Sequence, residues 1–290
     1  MATITPTVHK APYAAIDPTN DQLSQAGRTI LITGGSKGIG FSIARSFAQA
    51  GACRIIIVAR SSETLDTCTA RIQTGVPEFK GKVIPMQCDL GDVASVESMW
   101  TYFKEVGTVV DVLVLNAAKS QEGSSILDLG WKETWELFET NTRGNLIMVE
   151  QFMRKSTSPR KAIVNVSSPF VHDREMAAGF RSYALSKSAL TWALQQLAEE
   201  VLSEQTQIVS YHPGFILSEG MREAGCTQDD MDWDDENLPG NFAVWVASPK
   251  AAFLHGRFVW AKWDVEELSS RFQDEIQHNA NFLQIGVHGI

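Results

Sequence analysis

Short apolar runs that recur along the chain, with helical spacing between them, limit what it can fold into. RTILIT (28–33), CRIIIVA (53–59), KVIPMQCD (82–89), VDVLVLN (110–116), KAIVNVS (161–167) and QIVSYH (207–212) each carry consecutive apolar residues and lead into a polar one. Runs of this length without alternation mark strands buried on both faces. GRFVWA (256–261) is a candidate for a last strand. Between the first two runs, Ile39, Ile43 and Phe47 recur at helical spacing up to Gly51. A second helix begins at a serine cap, Ser61 or Ser62, and helical patterns cover 92–106, 130–155 and 181–204. Strands alternating with helices predict an α/β fold built on a parallel sheet.

The first strand runs straight into TGGSKGIG (33–40), which opens the first helix. A glycine turn in that place lets backbone amides and a helix N-terminus approach a pyrophosphate with no Cβ in the way. The alternative is a tight strand-to-helix turn with no ligand, and the strand–turn–helix context favours the ligand. The expected architecture is a single-domain, doubly wound parallel sheet of the Rossmann type flanked by helices. No composition break marks a second domain and no internal repeat is present. Residues 1–27, with Pro6, Pro12 and Pro18 and no periodicity, read as an extended arm; the Rossmann-type domain covers 28–262, and 263–290 form a C-terminal extension.

At 290 residues, 44% hydrophobic and 20% charged, the composition is that of an ordinary soluble protein. A net charge of −9 argues against a nucleic acid or an anionic membrane as partner. No stretch approaches the ~20 apolar residues of a membrane span. The N-terminus has no apolar run before a cleavage site, and the final His-Gly-Ile matches no targeting address, so a cytoplasmic location is expected. Cys53, Cys68, Cys88 and Cys226 form no C-x-x-C pair, which suits reduced thiols and no metal site.

The spacing T-G-x-x-x-G-x-G, rather than G-x-G-x-x-G, resembles the short-chain dehydrogenase/reductase family, over roughly residues 28–262. Asp89-Leu90 ends the third strand, where the family places an Asp against adenine. Asn116-Ala117-Ala118 ends the fourth, where Asn-Asn-Ala-Gly is usual; Ala117 and Lys119 replace the second Asn and the Gly. Pro213-Gly214 matches the family's turn beside the nicotinamide. The family's usual Asp-Gly-Gly ending is replaced by Trp-Ala-Lys-Trp-Asp (260–264), and that ending, with the long arm, resembles fungal members that serve specialised metabolism. The resemblance implies a cofactor site made by Gly34, Ser36, Lys37, Gly38, Ile39, Gly40, Arg60, Ser61, Asp89, Leu90, Asn116, Ala117, Tyr183, Lys187, Pro213, Gly214, Ile216 and Ser218.

YALSK (183–187) puts Tyr183 and Lys187 one helical turn apart. A free tyrosine, with pKa about 10, is a poor acid–base catalyst near neutrality, and an adjacent ammonium is expected to favour its phenolate. Alone the pair is as readily a surface pair on a helix. Ser168, fifteen residues upstream at the end of the fifth strand, distinguishes the two readings. By resemblance, Ser168, rather than Ser167, hydrogen-bonds the substrate oxygen, Tyr183 gives or takes its proton, and Lys187 also holds the nicotinamide ribose. Asn141, in FETNTRGN, matches the family's helix Asn that supports a water relay to the lysine.

These residues imply an oxidoreductase that interconverts a secondary alcohol and a ketone by hydride transfer on a small organic or specialised metabolite. The alternatives are a family member turned to isomerisation, dehydration or cyclisation, and a redox-silent NADP-binding regulator. An NAD enzyme places an acid at the end of the second strand to take both ribose hydroxyls. Here that strand leads into Ala59-Arg60-Ser61-Ser62, with no acid. Arg60, helped by Ser61 and Lys37, suits a 2′-phosphate, so NADP(H) is the expected cofactor.

His212 reads as a strand-end packing residue, and His172 as an exposed loop residue near the substrate. The run DDMDWDDE (229–236) reads as a solvated edge of a substrate lid over about 215–240, expected to be mobile and to close over an apolar ligand. Phe215, Ile216, Leu217, Met221 and Trp233 would line it or pack it down. The helices at 130–155 and 181–204 carry apolar residues on more than one face, and the family pairs such helices between subunits, so a homodimer or homotetramer is expected.

Overall fold

A computed structural model describes residues 3–120, 125–223 and 225–286; the C-terminal His-Gly-Ile lies outside them. Seven strands form one parallel sheet: β1 (Thr29–Thr33), β2 (Arg54–Ala59), β3 (Lys82–Gln87), β4 (Val112–Leu115), β5 (Lys161–Val166), β6 (Thr206–His212) and β7 (Arg257–Trp260). Their order across the sheet is β3-β2-β1-β4-β5-β6-β7, so the chain winds outward in both directions from β1. The reversal between β1 and β4 is where such a sheet opens a crevice at its carboxyl edge.

Successive residues in a strand face opposite sides, and both sides are covered except in β3, which lies at the sheet edge and, contrary to expectation, has no fully buried residue. Ile30, Ile32, Ile55 and Ile57 pack into one apolar layer, while Leu31, Ile56 and Val58 pack into the other. That explains the unbroken apolar runs. The layers are closed by α1 (Gly38–Gln49), α2 (Ser62–Gly75), α3 (Val93–Glu105), α4 (Ile126–Phe138), α5 (Asn145–Lys155), α6 (Arg181–Glu200), α8 (Leu238–Val246) and α9 (Val265–His278), while the short α7 (Glu219–Glu223) buries none of its residues. Ser61 caps α2, its hydroxyl accepting from the Thr64 amide.

The expected helix at 130–155 is interrupted. It starts at Ile126, kinks where Gly130 takes φ +82°, and passes through a π-turn, Glu139–Gly144, before α5. The arm is more than an extended strand: short 3-10 turns at Ala14–Ile16 and Asp21–Leu23 bury Ile16 and Leu23 completely. No helix among the described residues is long and apolar enough to cross a membrane.

Candidate active site

The glycine turn between β1 and α1 is held by the end of β4. Asn116 Nδ2 donates to the carbonyls of Thr33 (3.0 Å) and Gly34 (2.9 Å), and the Thr33 hydroxyl accepts from the amides of Asn116 and Ala117. The packing is close enough to require glycine at Gly40, where a Cβ would stand 2.1 Å from the Gly34 carbonyl oxygen. Asn116 therefore acts on the turn from behind.

In front of the turn lies a cavity of about 930 Å³ along the carboxyl ends of the strands. Of the residues expected at a cofactor, Gly34, Ser36, Lys37, Ile39, Arg60, Ser61, Asp89, Leu90, Asn116, Ala117, Tyr183, Lys187, Pro213 and Ser218 line it. Gly38 and Ile216 line the neighbouring cleft between α1 and α7, Gly40 lies behind the turn, and Gly214 follows Pro213. Sequence reasoning missed Thr64, Cys88, Lys119 and Thr140 on the same wall. Lys119 was visible as a departure from the family's Gly; its backbone now clasps Asn141.

At the far end of the cavity Tyr183 and Lys187 lie side by side on α6. Burial pushes the Tyr183 phenol up to about 12 and the Lys187 ammonium down to about 8. The expected lowering of the phenol by its neighbour is not seen: burial alone sets the direction of its shift, which is upward. Lys187 Nζ donates to the Val166 carbonyl at 2.6 Å, which directs it to the end of β5. Ser167 lines the cavity, although its hydroxyl pairs with Thr191 Oγ1 at 2.8 Å, whereas the expected Ser168 is buried and is not among the lining residues. The Ser168 hydroxyl accepts only a long bond, 3.3 Å, from the Phe170 amide. The Phe170 ring meets Tyr183 edge-on at 6.2 Å, bringing the Ser168 loop against the tyrosine.

Asn141 is fully buried in the π-turn. Its Oδ1 accepts from the Lys119 amide at 2.7 Å, and its Nδ2 donates to the Lys119 carbonyl and to Ser186 Oγ, next to Lys187. The side chain is thereby spent on structure, tying the end of β4 to α6.

Two expectations are corrected. His172 is not an exposed loop residue: it is half-buried, packs against Phe258 and Trp260, and accepts from Trp260 Nε1 at 3.1 Å. The acidic run is not wholly solvated, because Asp234 is buried against Lys262 at 3.0 Å. His212 is buried at the end of β6 between the rings of Phe215 and Trp260. Burial, with Lys262 and His172 nearby, pushes its imidazole down to about 3.

A doubly wound parallel sheet with a glycine turn, a crevice at its carboxyl edge and a Tyr–Lys pair on the crevice wall defines a protein of the dinucleotide-binding fold. The family model for short chain dehydrogenases matches residues 28–229. The chain belongs to the short-chain dehydrogenase/reductase family of oxidoreductases. It is 33% identical over 284 residues to the short chain dehydrogenase/reductase AacuD of Aspergillus aculeatus, covering 98% of this chain and 96% of that one. It is 35% identical to a short chain dehydrogenase/reductase of Claviceps purpurea, covering 98% and 94%. Among solved structures, the RhlG/NADP active-site complex of Pseudomonas aeruginosa superposes with a TM-score of 0.72 at 25% identity, over 83% of this chain and 97% of that one. L-sorbose reductase of Gluconobacter frateurii shares the fold, with a TM-score of 0.73 at 21% identity over 82% and 96%.

Proposed function

We propose that the protein is an NADP(H)-dependent oxidoreductase that interconverts a secondary alcohol and a ketone on a small specialised metabolite, with Tyr183 as the acid–base residue. The observation that carries this reading is that Tyr183, half-buried, and Lys187, buried, stand on the wall of the same cavity that the glycine turn and Arg60 line. Nothing but the phosphate-binding end distinguishes NADP(H), where Lys37, Arg60 and Ser61 offer donors and the end of β2 has no acid. The bound nicotinamide supplies or accepts the hydride. A phenol pushed up by burial stays protonated at neutral pH, the form that donates to a carbonyl oxygen as hydride arrives. Ser168 holds that oxygen, and Lys187 orients the cofactor ribose while its charge supports the phenolate left behind. Asn141 supports a water relay toward Lys187 from the π-turn, where its side chain holds the adjoining Ser186. Family membership and the fungal relatives support the oxidoreductase class. The cytoplasm, where thiols stay reduced, suits four free cysteines.

Tyr183→Phe keeps the ring that packs on Phe170 and removes the proton. With NADPH and a panel of aryl and alicyclic ketones, consumption of NADPH is expected to fall by about 10²-fold or more. The NADPH dissociation constant is expected to stay within a few-fold. Turnover close to wild type on a ketone that the wild type reduces would remove Tyr183 from the mechanism.

A further inference from the structure

Two stretches of the sequence have no part in the site described so far: the acidic run 229–236 and the Trp-Ala-Lys-Trp-Asp segment that departs from the family's ending. The fold joins them. Asp234, its side chain fully buried, pairs through Oδ1 with Lys262 Nζ at 3.0 Å; the lysine side chain is only 6% exposed. Asp234 Oδ2 accepts from the Phe215 amide at 2.8 Å, and the Asp234 amide donates to the Phe215 carbonyl at 2.8 Å. Residues 215 and 234 are therefore bonded to each other twice, and 216–233 form a loop with a closed neck.

The neck sits against the cavity. Gly214 takes φ +99°, and a Cβ on it would lie 2.8 Å from Asp234 Oδ2, so the carboxylate fills the notch over that glycine. Pro213, the residue before it, lines the cavity. Lys262 follows the end of β7, where the Ala261 amide donates to the His212 carbonyl of β6. From outside, the arm closes over the same point. The Lys10 carbonyl accepts from the Asp235 amide at 2.7 Å, Lys10 Nζ pairs with Asp232, and the His9 amide donates to the Lys262 carbonyl at 2.8 Å.

A buried ion pair adds little net stability over apolar residues of the same volume, because desolvation offsets the attraction; what it does well is to select one arrangement. We propose that Asp234 is a positioning residue: its carboxylate, neutralised in the interior by Lys262, locks the neck of loop 216–233 through the Phe215 amide and thereby holds the Pro213-Gly214 turn on the cavity wall. The inference rests on the reading of that cavity as the cofactor site. It also turns the sequence expectation of a freely mobile lid into a loop that moves only beyond a fixed neck.

Hydrogen exchange of the full chain tests the neck without any ligand. Asp234→Ala with Lys262→Met removes the bond to Phe215 and leaves no orphaned charge. Exchange across 216–233 is expected to speed up at least tenfold, with β1 and β5 unchanged. Asp234→Asn with Lys262→Met keeps an acceptor for the Phe215 amide and is expected to restore most of the protection. Titration by cofactor fluorescence gives the second readout. The Ala/Met variant is expected to weaken NADPH and NADH by the same factor, about tenfold, because the turn borders the half of the molecule they share. Unchanged exchange in 216–233 in a folded Ala/Met variant, or equal protection in the Asn/Met and Ala/Met variants, would overturn the proposal. If Ala/Met does not fold, Asn/Met alone decides, since it must then retain wild-type exchange in the loop. A wild type that prefers NADH would count against the cofactor reading alone, and leaves the exchange result standing.

Discussion

A guanidinium just beyond β2 and an ammonium in the glycine turn border the same cavity, but their circumstances differ. Lys37 Nζ is held by both carboxylate oxygens of Glu223 in α7, at 3.0 and 2.9 Å, whereas Arg60 has no ion-pair partner among the described residues. Both Lys37 and Glu223 are exposed, so their pair is weak and salt-sensitive, and a phosphate can compete for the lysine. Losing a charge-assisted contact to a phosphate typically costs about 1.5–3 kcal/mol. Arg60→Ala is accordingly expected to weaken NADPH by about one to two powers of ten while leaving NADH almost unchanged. Lys37→Ala should do less, because its charge is already shared. Glu223→Gln should tighten NADPH by a few-fold, most visibly at low salt, and leave NADH alone. Fluorescence titrations of both cofactors check this. Equal losses for NADH and NADPH in Arg60→Ala, or a wild type that binds NADH more tightly, would show that Arg60 does not read a phosphate.

The elements were legible in the sequence to the degree that local pattern decided them. Strands buried on both faces read as unbroken apolar runs, and the glycine turn announced itself because close contacts at Gly40 exclude any other residue. The break in the α4–α5 segment was not legible. A π-turn hardly disturbs helical spacing, and this one is fixed by Asn141 reaching Lys119 and Ser186, contacts distant in sequence. Burial of Asp234 in an acidic run was hidden for the same reason, since its partner Lys262 belongs to another element. His212 at the end of β6 was legible as a packing residue, but not its consequence. Its imidazole is pushed from 6.5 down to about 3 by burial, by Lys262, itself paired with Asp234, and by His172. The unfolded chain therefore takes up a proton near 6.5 that the folded chain refuses until about 3, so stability is full above 6.5 and is lost as pH falls through that window. Thermal melts of wild type and His212→Leu between pH 7 and 4.5 check the sign. The wild-type melting temperature should fall more steeply, and parallel curves would remove His212 from the acid response.

At the scale of the whole molecule, seven of the fifteen large apolar residues left exposed among the described residues lie on three helices, and all three of the exposed tryptophans are there. Ile126, Leu127, Trp131 and Trp135 of α4, Leu146 of α5 and Leu185 and Trp192 of α6 are exposed, Trp131 by 75% and Trp192 by 46%. Tryptophan is ordinarily well buried, and large apolar groups exposed on neighbouring helices point to a contact with another chain. The helices α4 and α6 pack on each other and α6 carries Tyr183 and Lys187, so an interface on their outer sides would stiffen the frame that holds these two residues. Association also has to overcome the repulsion between copies that each carry −9. A homodimer or homotetramer built on these helices should therefore bury at least ~1,200 Å² and strengthen with added salt. Light scattering at micromolar concentration is expected to give a dimer or tetramer mass for the wild type. Trp135→Asp and Trp192→Asp should shift it toward the monomer, while Leu202→Asp, an exposed apolar residue beyond the end of α6, should not. A monomeric wild type, or a dimer indifferent to both tryptophan substitutions, would show that these helices do not form the interface.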